Sequence, residues 1–400
     1  MTRPVLVVGF VLFVAMMGSN IPVPLYELYR VHFGTTIFVM TAVFAIYPIS
    51  LVATLIAFAR LPDRIGRRPV LAIGVVAAAL GSCAFLFARS IEPLFVGRVL
   101  AAVAIGAMGA AGPPALVELD PAHDRRRAAL VATFAFSLAC GIAPFASGVL
   151  AVVTPDPFVA PFVLEIVLCA LAFVSLALVS ETRPPHPPKG TAPVRLSPAG
   201  RRAFAGAALT SGITWWLASL FVSIVPAFVG ALLGAHSPAL QGALALIVFV
   251  VSPVTQVAAR GVSDRTASRA GLIGTVLALA AVLGAPPLHS LPLFAFGSVI
   301  AGVAHGLGFL GAQSTINRIA PASSRAALSA RFYAVTYLCI GVPLLGIGAL
   351  TARVGLYDAL GLEAGIAAVA ALVLAAVVPG GDRVRAAAET VTAGAASGQT

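Results

Sequence analysis

Ala59-Arg60-Leu61-Pro62-Asp63-Arg64-Ile65-Gly66-Arg67-Arg68 places four arginines and one aspartate between two long apolar runs. The runs, near 36–59 and 69–88, each have about the 20 residues that a helix needs to cross a bilayer. Outward from this stretch the same alternation recurs. Further apolar runs lie near 5–28, 93–117, 128–152, 158–180, 203–232, 238–259, 270–286, 291–316, 327–351 and 357–379, which makes twelve. The first begins at Pro4, continues past Met17 and ends in Asn20, Pro22 and Pro24. It is too long for a signal-peptide core and lacks a small-residue cleavage site, so it reads as a span.

Composition requires a membrane. Of the 400 residues, 60% are hydrophobic and 10% charged, with a mean hydropathy of +1.03. A soluble domain has about 25% charged residues, and this chain could not cover its surface with polar groups. The net charge of +11 would suggest nucleic acid in a soluble protein. Here the cations sit in short clusters between apolar runs, so nucleic acid is excluded as a partner. Cys83, Cys140, Cys169 and Cys339 lie in apolar stretches without metal-ligand or CxxC spacing, which predicts no disulfide and no metal. A phosphate-binding Gly-x4-Gly-Lys-Ser/Thr loop, HExxH and a catalytic triad are all missing, so the sequence predicts neither an enzyme nor a cofactor.

The arginines set topology. If both termini are inside, 21 of the 25 basic residues fall on inner segments, against Arg30, Arg89 and Arg353 outside and Arg98 within a run. The positive-inside bias therefore predicts cytoplasmic termini in a cell (inner or plasma) membrane. The Pro184–Pro188 connection falls on the same side.

The halves repeat at an offset near 200. Asp63-Arg64 falls near Asp264-Arg265, Gly97 and Gly106 on Gly297 and Gly306, Pro121 on Pro321, and Gly141 on Gly341. The expected organisation is a six-helix bundle over 1–180, a cytoplasmic connection over 181–202, a second bundle over 203–380 and a disordered tail over 381–400.

The opening stretch resembles the loop signature of the major facilitator superfamily, Gly-x-x-x-Asp-Arg-x-Gly-Arg-Arg. Asp63, Arg64, Gly66, Arg67 and Arg68 match it, and Ala59 replaces the opening glycine. A weaker copy runs from Arg260 through Asp264 and Arg265 to Arg269. The resemblance implies an all-α integral membrane fold of twelve helices in two parallel six-helix repeats, working by alternating access. In that frame the two loops act as latches. Asp63 is expected at the start of span eleven near Ala326, and Asp264 at the start of span five near Ala128. A carboxylate is favoured at a helix N-terminus. Such a contact, made in only one conformation, would bias a two-state equilibrium.

Within the spans, Arg98 resembles the span-four arginine of the superfamily's drug:proton antiporter-like branch. An intramembrane arginine faces a cavity or a partner, unless it snorkels to the surface. Gly141-Ile-Ala-Pro144-Phe-Ala-Ser147-Gly148 is similar to that branch's span-five motif, with Ala143 and Ser147 replacing two glycines. Glu27 with Arg98 is the preferred proton-linked pair, with Glu165 as the other carrier. Asn20, Tyr26, Trp215, Trp216, His305 and Gln313 are the expected cavity residues. Tyr26 reads equally as an interfacial aromatic, and at most one of the adjacent tryptophans need face substrate.

The expectation is a secondary transporter performing proton-coupled efflux of a small apolar or amphipathic compound. Its partners would be the small-molecule substrate, protons and the lipid bilayer, and the protein would be a monomer. A proton-linked uptake permease for a sugar or organic acid is the alternative, and a non-transporting sensor or lipid-handling protein a third.

Overall fold

The computed structural model describes residues 2–182, 196–234, 236–320 and 325–378. The proline-rich part of the central connection and the tail expected to be disordered lie outside the described residues. Twelve apolar helices are long enough to cross a membrane, matching the twelve runs.

Three of these spans are interrupted. Span one is α1 (Arg3–Asn20), a 3-10 turn (Val23–Leu25) and α2 (Tyr26–His32). Pro22 and Pro24 supply the break, because proline lacks the N–H that a continuing helix needs. Span two is α3 (Ile37–Phe58), with Pro48 inside it, followed by the short α4 (Leu61–Ile65). Then come α5 (Arg67–Leu86), α6 (Glu92–Leu119), α7 (Arg125–Val153) and α8 (Ala160–Ser175). After the connection, span seven is α9 (Pro198–Ser223) and α10 (Val225–Leu233). It starts at Pro198, inside the segment read from sequence as connection. The Ser197 hydroxyl caps it by accepting from the Gly200 N–H. The remaining helices are α11 (Pro238–Ala258), α12 (Asp264–Gly284), α13 (Leu291–Ile319), α14 (Arg325–Val354) and α15 (Leu356–Val377).

Each half has a buried apolar cluster of its own, and a larger one runs across both. In the first, α1 packs on α5, α6, α7 and α8; in the second, α9 packs on α12, α13 and α14. The halves meet along two long seams, α3 against α14 and α7 against α11. They also meet at the arginine-poor end, where α2 touches α10 and the 3-10 turn touches α9 and α11. A crevice of about 20 Å³ lies there, lined by Tyr26, Glu27 and Arg30 from one half and by Ser223, Ile224 and Ala227 from the other. No comparable packing ties α4, α5 or α6 to the second half among the described residues.

Candidate functional site

At the arginine-rich end, α4 and α5 meet at Gly66, whose φ of +104° favours glycine. The Glu181 carboxylate fills the space beside it, 2.5 Å from where a Cβ would stand. Glu181 accepts the Arg67 N–H at 2.7 Å and so caps the start of α5. The Arg67 side chain donates to Asp63 at 2.6 Å and, through Nη2 and Nε, to both carboxylate oxygens of Glu118 at 3.2 and 3.3 Å. Asp63 is therefore held within its own loop. The start of α14 near Ala326, where the latch contact is expected, adjoins residues 321–324, and these together with the side chains of Arg325 and Ala326 lie outside the described residues.

The second loop behaves similarly. Asp264 opens α12, where the Ser263 hydroxyl accepts from the Thr266 N–H. Asp264 pairs with Arg318, at the end of α13, at 2.5 Å. The expected partner of Asp264 is the start of α7, where the side chains of Arg125 and Arg126 lie outside the described residues. Arg269 donates to the Ala375 carbonyl at 2.7 Å, in the last turn of α15, where a cation is favoured. For Arg64, Arg68 and Arg265 no bonded partner is described.

Arg98 is 1% exposed and does not snorkel. Among the described residues it also meets no carboxylate. Nη1 donates to the Ser19 carbonyl at 2.5 Å and Nη2 reaches the Phe44 carbonyl at 3.5 Å. Both carbonyls lack the donor that a helix would supply. Ser19 sits at the end of α1, and the residue four on from Phe44 is Pro48. Unpaired backbone groups at membrane depth need such partners. The guanidinium also lies over the rings of Tyr47 and Phe44, at 4.4 and 5.0 Å from their centroids.

The expected Glu27–Arg98 pair is not formed. Glu27 binds Arg30 through both oxygens, at 2.6 and 2.8 Å, in the crevice at the arginine-poor end. The two are three residues apart on one helical turn, so this pairing needs no tertiary movement. Glu165 is fully buried against the backbone of Gly18 and accepts from the Cys169 thiol at 3.4 Å. From α8 it therefore packs against α1 one residue from the carbonyl that Arg98 holds, and its Oε2 has no hydrogen-bond partner. Tyr26, read equally as interfacial, is 4% exposed and packs edge-on against Phe44.

A small cavity of about 40 Å³ lies between the halves. The first half contributes Asn20, Phe44, Tyr47 and Cys140, and the second Trp215, Ser219, Phe249 and Tyr337. Trp215 lines it, whereas Trp216 is 3% exposed in the core with its indole N–H unpaired. His305 stands behind Trp215, with ring centroids 4.5 Å apart. Gln313 lies away from this cavity and accepts from the Tyr333 hydroxyl at 3.3 Å.

The span-five motif faces the α7–α11 seam rather than the cavity. A Cβ on Gly148 would collide with the Pro238 carbonyl, and one on Gly242 with that of Pro144. Gly141 packs on Leu246 and Phe249. The small residues set how closely the halves approach.

Sequence reasoning missed Glu118 and Glu181. One signal for Glu118 was available: it and Arg318 occupy equivalent repeat positions with opposite charges.

Residues 8–236 match the family model of the Major Facilitator Superfamily, more than half of the chain, and the protein belongs to that superfamily. It is a multi-pass membrane protein and a secondary transporter, not an enzyme. A POT family transporter in complex with 5-aminolevulinic acid superposes with a TM-score of 0.75 at 15% identity, over 94% of this chain and 96% of that one. A D-xylose-proton symporter superposes at 0.74 and 15% identity, over 94% and 98%. A bacterial homolog of the human lysosomal transporter Spinster, in an inward-facing and occupied conformation, superposes at 0.70 and 15% identity, over 93% and 94%. These likenesses show the fold alone. In sequence, 68 residues are 35% identical to the tetracycline resistance protein, class H, of Pasteurella multocida. That match spans 17% of this chain and 17% of that protein.

Proposed function

We propose that the protein exports a small apolar or amphipathic compound in exchange for protons, by alternating access. The observation that carries this reading is the cavity between the halves. Its walls are aromatic and aliphatic, its polar atoms belong to Asn20, Ser219, Cys140, Trp215 and two tyrosines, and no charged side chain lines it. Such walls suit an uncharged, apolar cargo. A sugar would need many more hydrogen-bonding groups. The short match to a tetracycline resistance protein points the same way.

At about 40 Å³ the cavity holds little more than water, whereas ligand pockets run to roughly 300–1,000 Å³. Cargo therefore enters a wider state. With the arginine-poor end closed, we read the arginine-rich end as the cytoplasmic, loading side, and both termini as cytoplasmic. In this state Asp63 rests on Arg67. When the cytoplasmic end closes, Asp63 turns to the start of α14. Glu165 carries the proton, with Arg98 across α1 from it, and the Glu27–Arg30 pair belongs to the outer gate.

The test is survival of cells with and without the protein against a panel of apolar aromatic toxicants, with the proton gradient intact and collapsed. Gradient-dependent resistance is expected. Proton-driven accumulation of a sugar or organic acid, without resistance, would overturn the reading.

A further inference from the structure

The wall behind the cavity contains a hydrogen-bond chain whose last nitrogen has no partner. Gln256 donates through Nε2 to the Ser252 hydroxyl oxygen at 3.3 Å. Ser252 and His305 Nδ1 are 2.7 Å apart. A hydroxyl has one proton to give. With its oxygen already accepting from Gln256, the hydroxyl still has that proton and a second lone pair. In the tautomer in which Ser252 donates to Nδ1, the ring hydrogen of His305 is on Nε2. Ser252 and His305 are 1% and 3% exposed, and Nε2 has no hydrogen-bond partner.

A buried donor left unpaired is costly, so a site that keeps one is built to receive an acceptor. Its surroundings indicate what kind. Trp215 stands edge-to-face with His305 at 4.5 Å, Phe309 lies parallel to it at 6.0 Å, and Phe249 is 6.2 Å away. Trp215 and Phe249 are also cavity walls, so they separate His305 from the space between the halves.

We propose that His305 is a specificity-determining residue whose Nε2–H bonds a carbonyl oxygen of a planar, apolar cargo once Trp215 swings aside. The proposal rests on the apolar-cargo reading above and narrows it. In the contracted state Trp215 covers the donor. As the cavity widens, cargo takes the place of the indole, its ring system against Phe249 and Phe309 and its oxygen on His305. An otherwise identical compound without the oxygen leaves Nε2–H unpaired and binds more weakly.

Two tritiated probes of the same ring system decide this, 9-fluorenone with a carbonyl and fluorene without one. Both are measured by scintillation proximity on the purified full-length protein. The expected result is that fluorenone binds at least fivefold tighter than fluorene. His305→Phe removes that preference while both probes still bind. His305→Gln, which keeps a donor at similar reach, recovers part of it. Ser252→Ala, which frees the tautomer, weakens the preference without changing fluorene binding. Equal affinity of the two probes for the unaltered protein overturns the His305 assignment alone, as does a preference that survives His305→Phe. If neither probe binds, the apolar-cargo reading and this proposal both fail.

Discussion

Arg98 donates to the Ser19 carbonyl at 2.5 Å, where α1 ends, and Glu165 lies against the neighbouring Gly18. The intramembrane cation of α6 and the fully buried acid of α8 thus contact consecutive residues of one broken helix, α1, without touching each other. Movement of α1 relative to α6 or α8 would alter both environments together. This arrangement supplies a physical route by which a change of conformation can change protonation.

Arg98→Ala should lose at least tenfold in transport, measured in liposomes. Arg98→Lys should fail as well, because an ammonium cannot reach two carbonyls and lie across two rings as the planar fork does. A hydrogen bond to a charged group is worth about 1.5–3 kcal/mol, so the melting temperature should fall. Adding Pro48→Ala gives Phe44 a helical donor and should recover part of the stability but not the transport. Unchanged transport in Arg98→Ala would exclude a functional role.

Glu165→Gln should abolish substrate-driven proton movement, read with a pH-sensitive dye inside liposomes, while substrate binding persists. Glu27→Gln breaks only its pairing with Arg30 and should keep more than half of the flux. The reverse ranking would return the coupling role to Glu27.

Glu118 and Arg318 are equivalent in the repeat and opposite in charge; each ties the fourth helix of its half to the loop before the third. Glu118→Arg faces Arg67 with a like charge and should slow transport several-fold. It should also lower stability, since Arg67 is buried and loses its Glu118 partner. Combining it with Arg67→Glu should restore most of the rate. If the double variant is no better than the single one, the pair is not what matters there.

Gly148→Val places a branched side chain against the Pro238 carbonyl and should prevent the halves from closing at the arginine-poor end. Yield of folded protein should be near normal and transport lost. Thr41 and Gly348 face each other across the other seam. The cysteine pair Thr41→Cys and Gly348→Cys removes the hydroxyl that a side chain at 348 would strike, and should crosslink in the otherwise unaltered protein and much less in the Gly148→Val background. Equal crosslinking in both would show that the glycine does not govern closure.

The spans, their number and the repeat were legible because in lipid each helix must satisfy its backbone internally. That requirement writes itself into consecutive residues, as the apolar runs on either side of Asp63 show. The interruptions were partly legible too, since Pro22, Pro24 and Pro48 announce missing donors. What Arg98 does with the carbonyls those prolines expose was not, because Ser19, Phe44 and Arg98 lie on three different helices. Glu27 illustrates the same limit. Its neighbour on the helical turn, Arg30, captured it before any distant cation could. The facing of Trp215 toward the cavity and Trp216 toward the core depends on the rotation of α9. Local sequence determines where a helix runs and where it breaks. Which side chains meet is decided by the rotation and register of packed helices, and those are properties of the whole assembly.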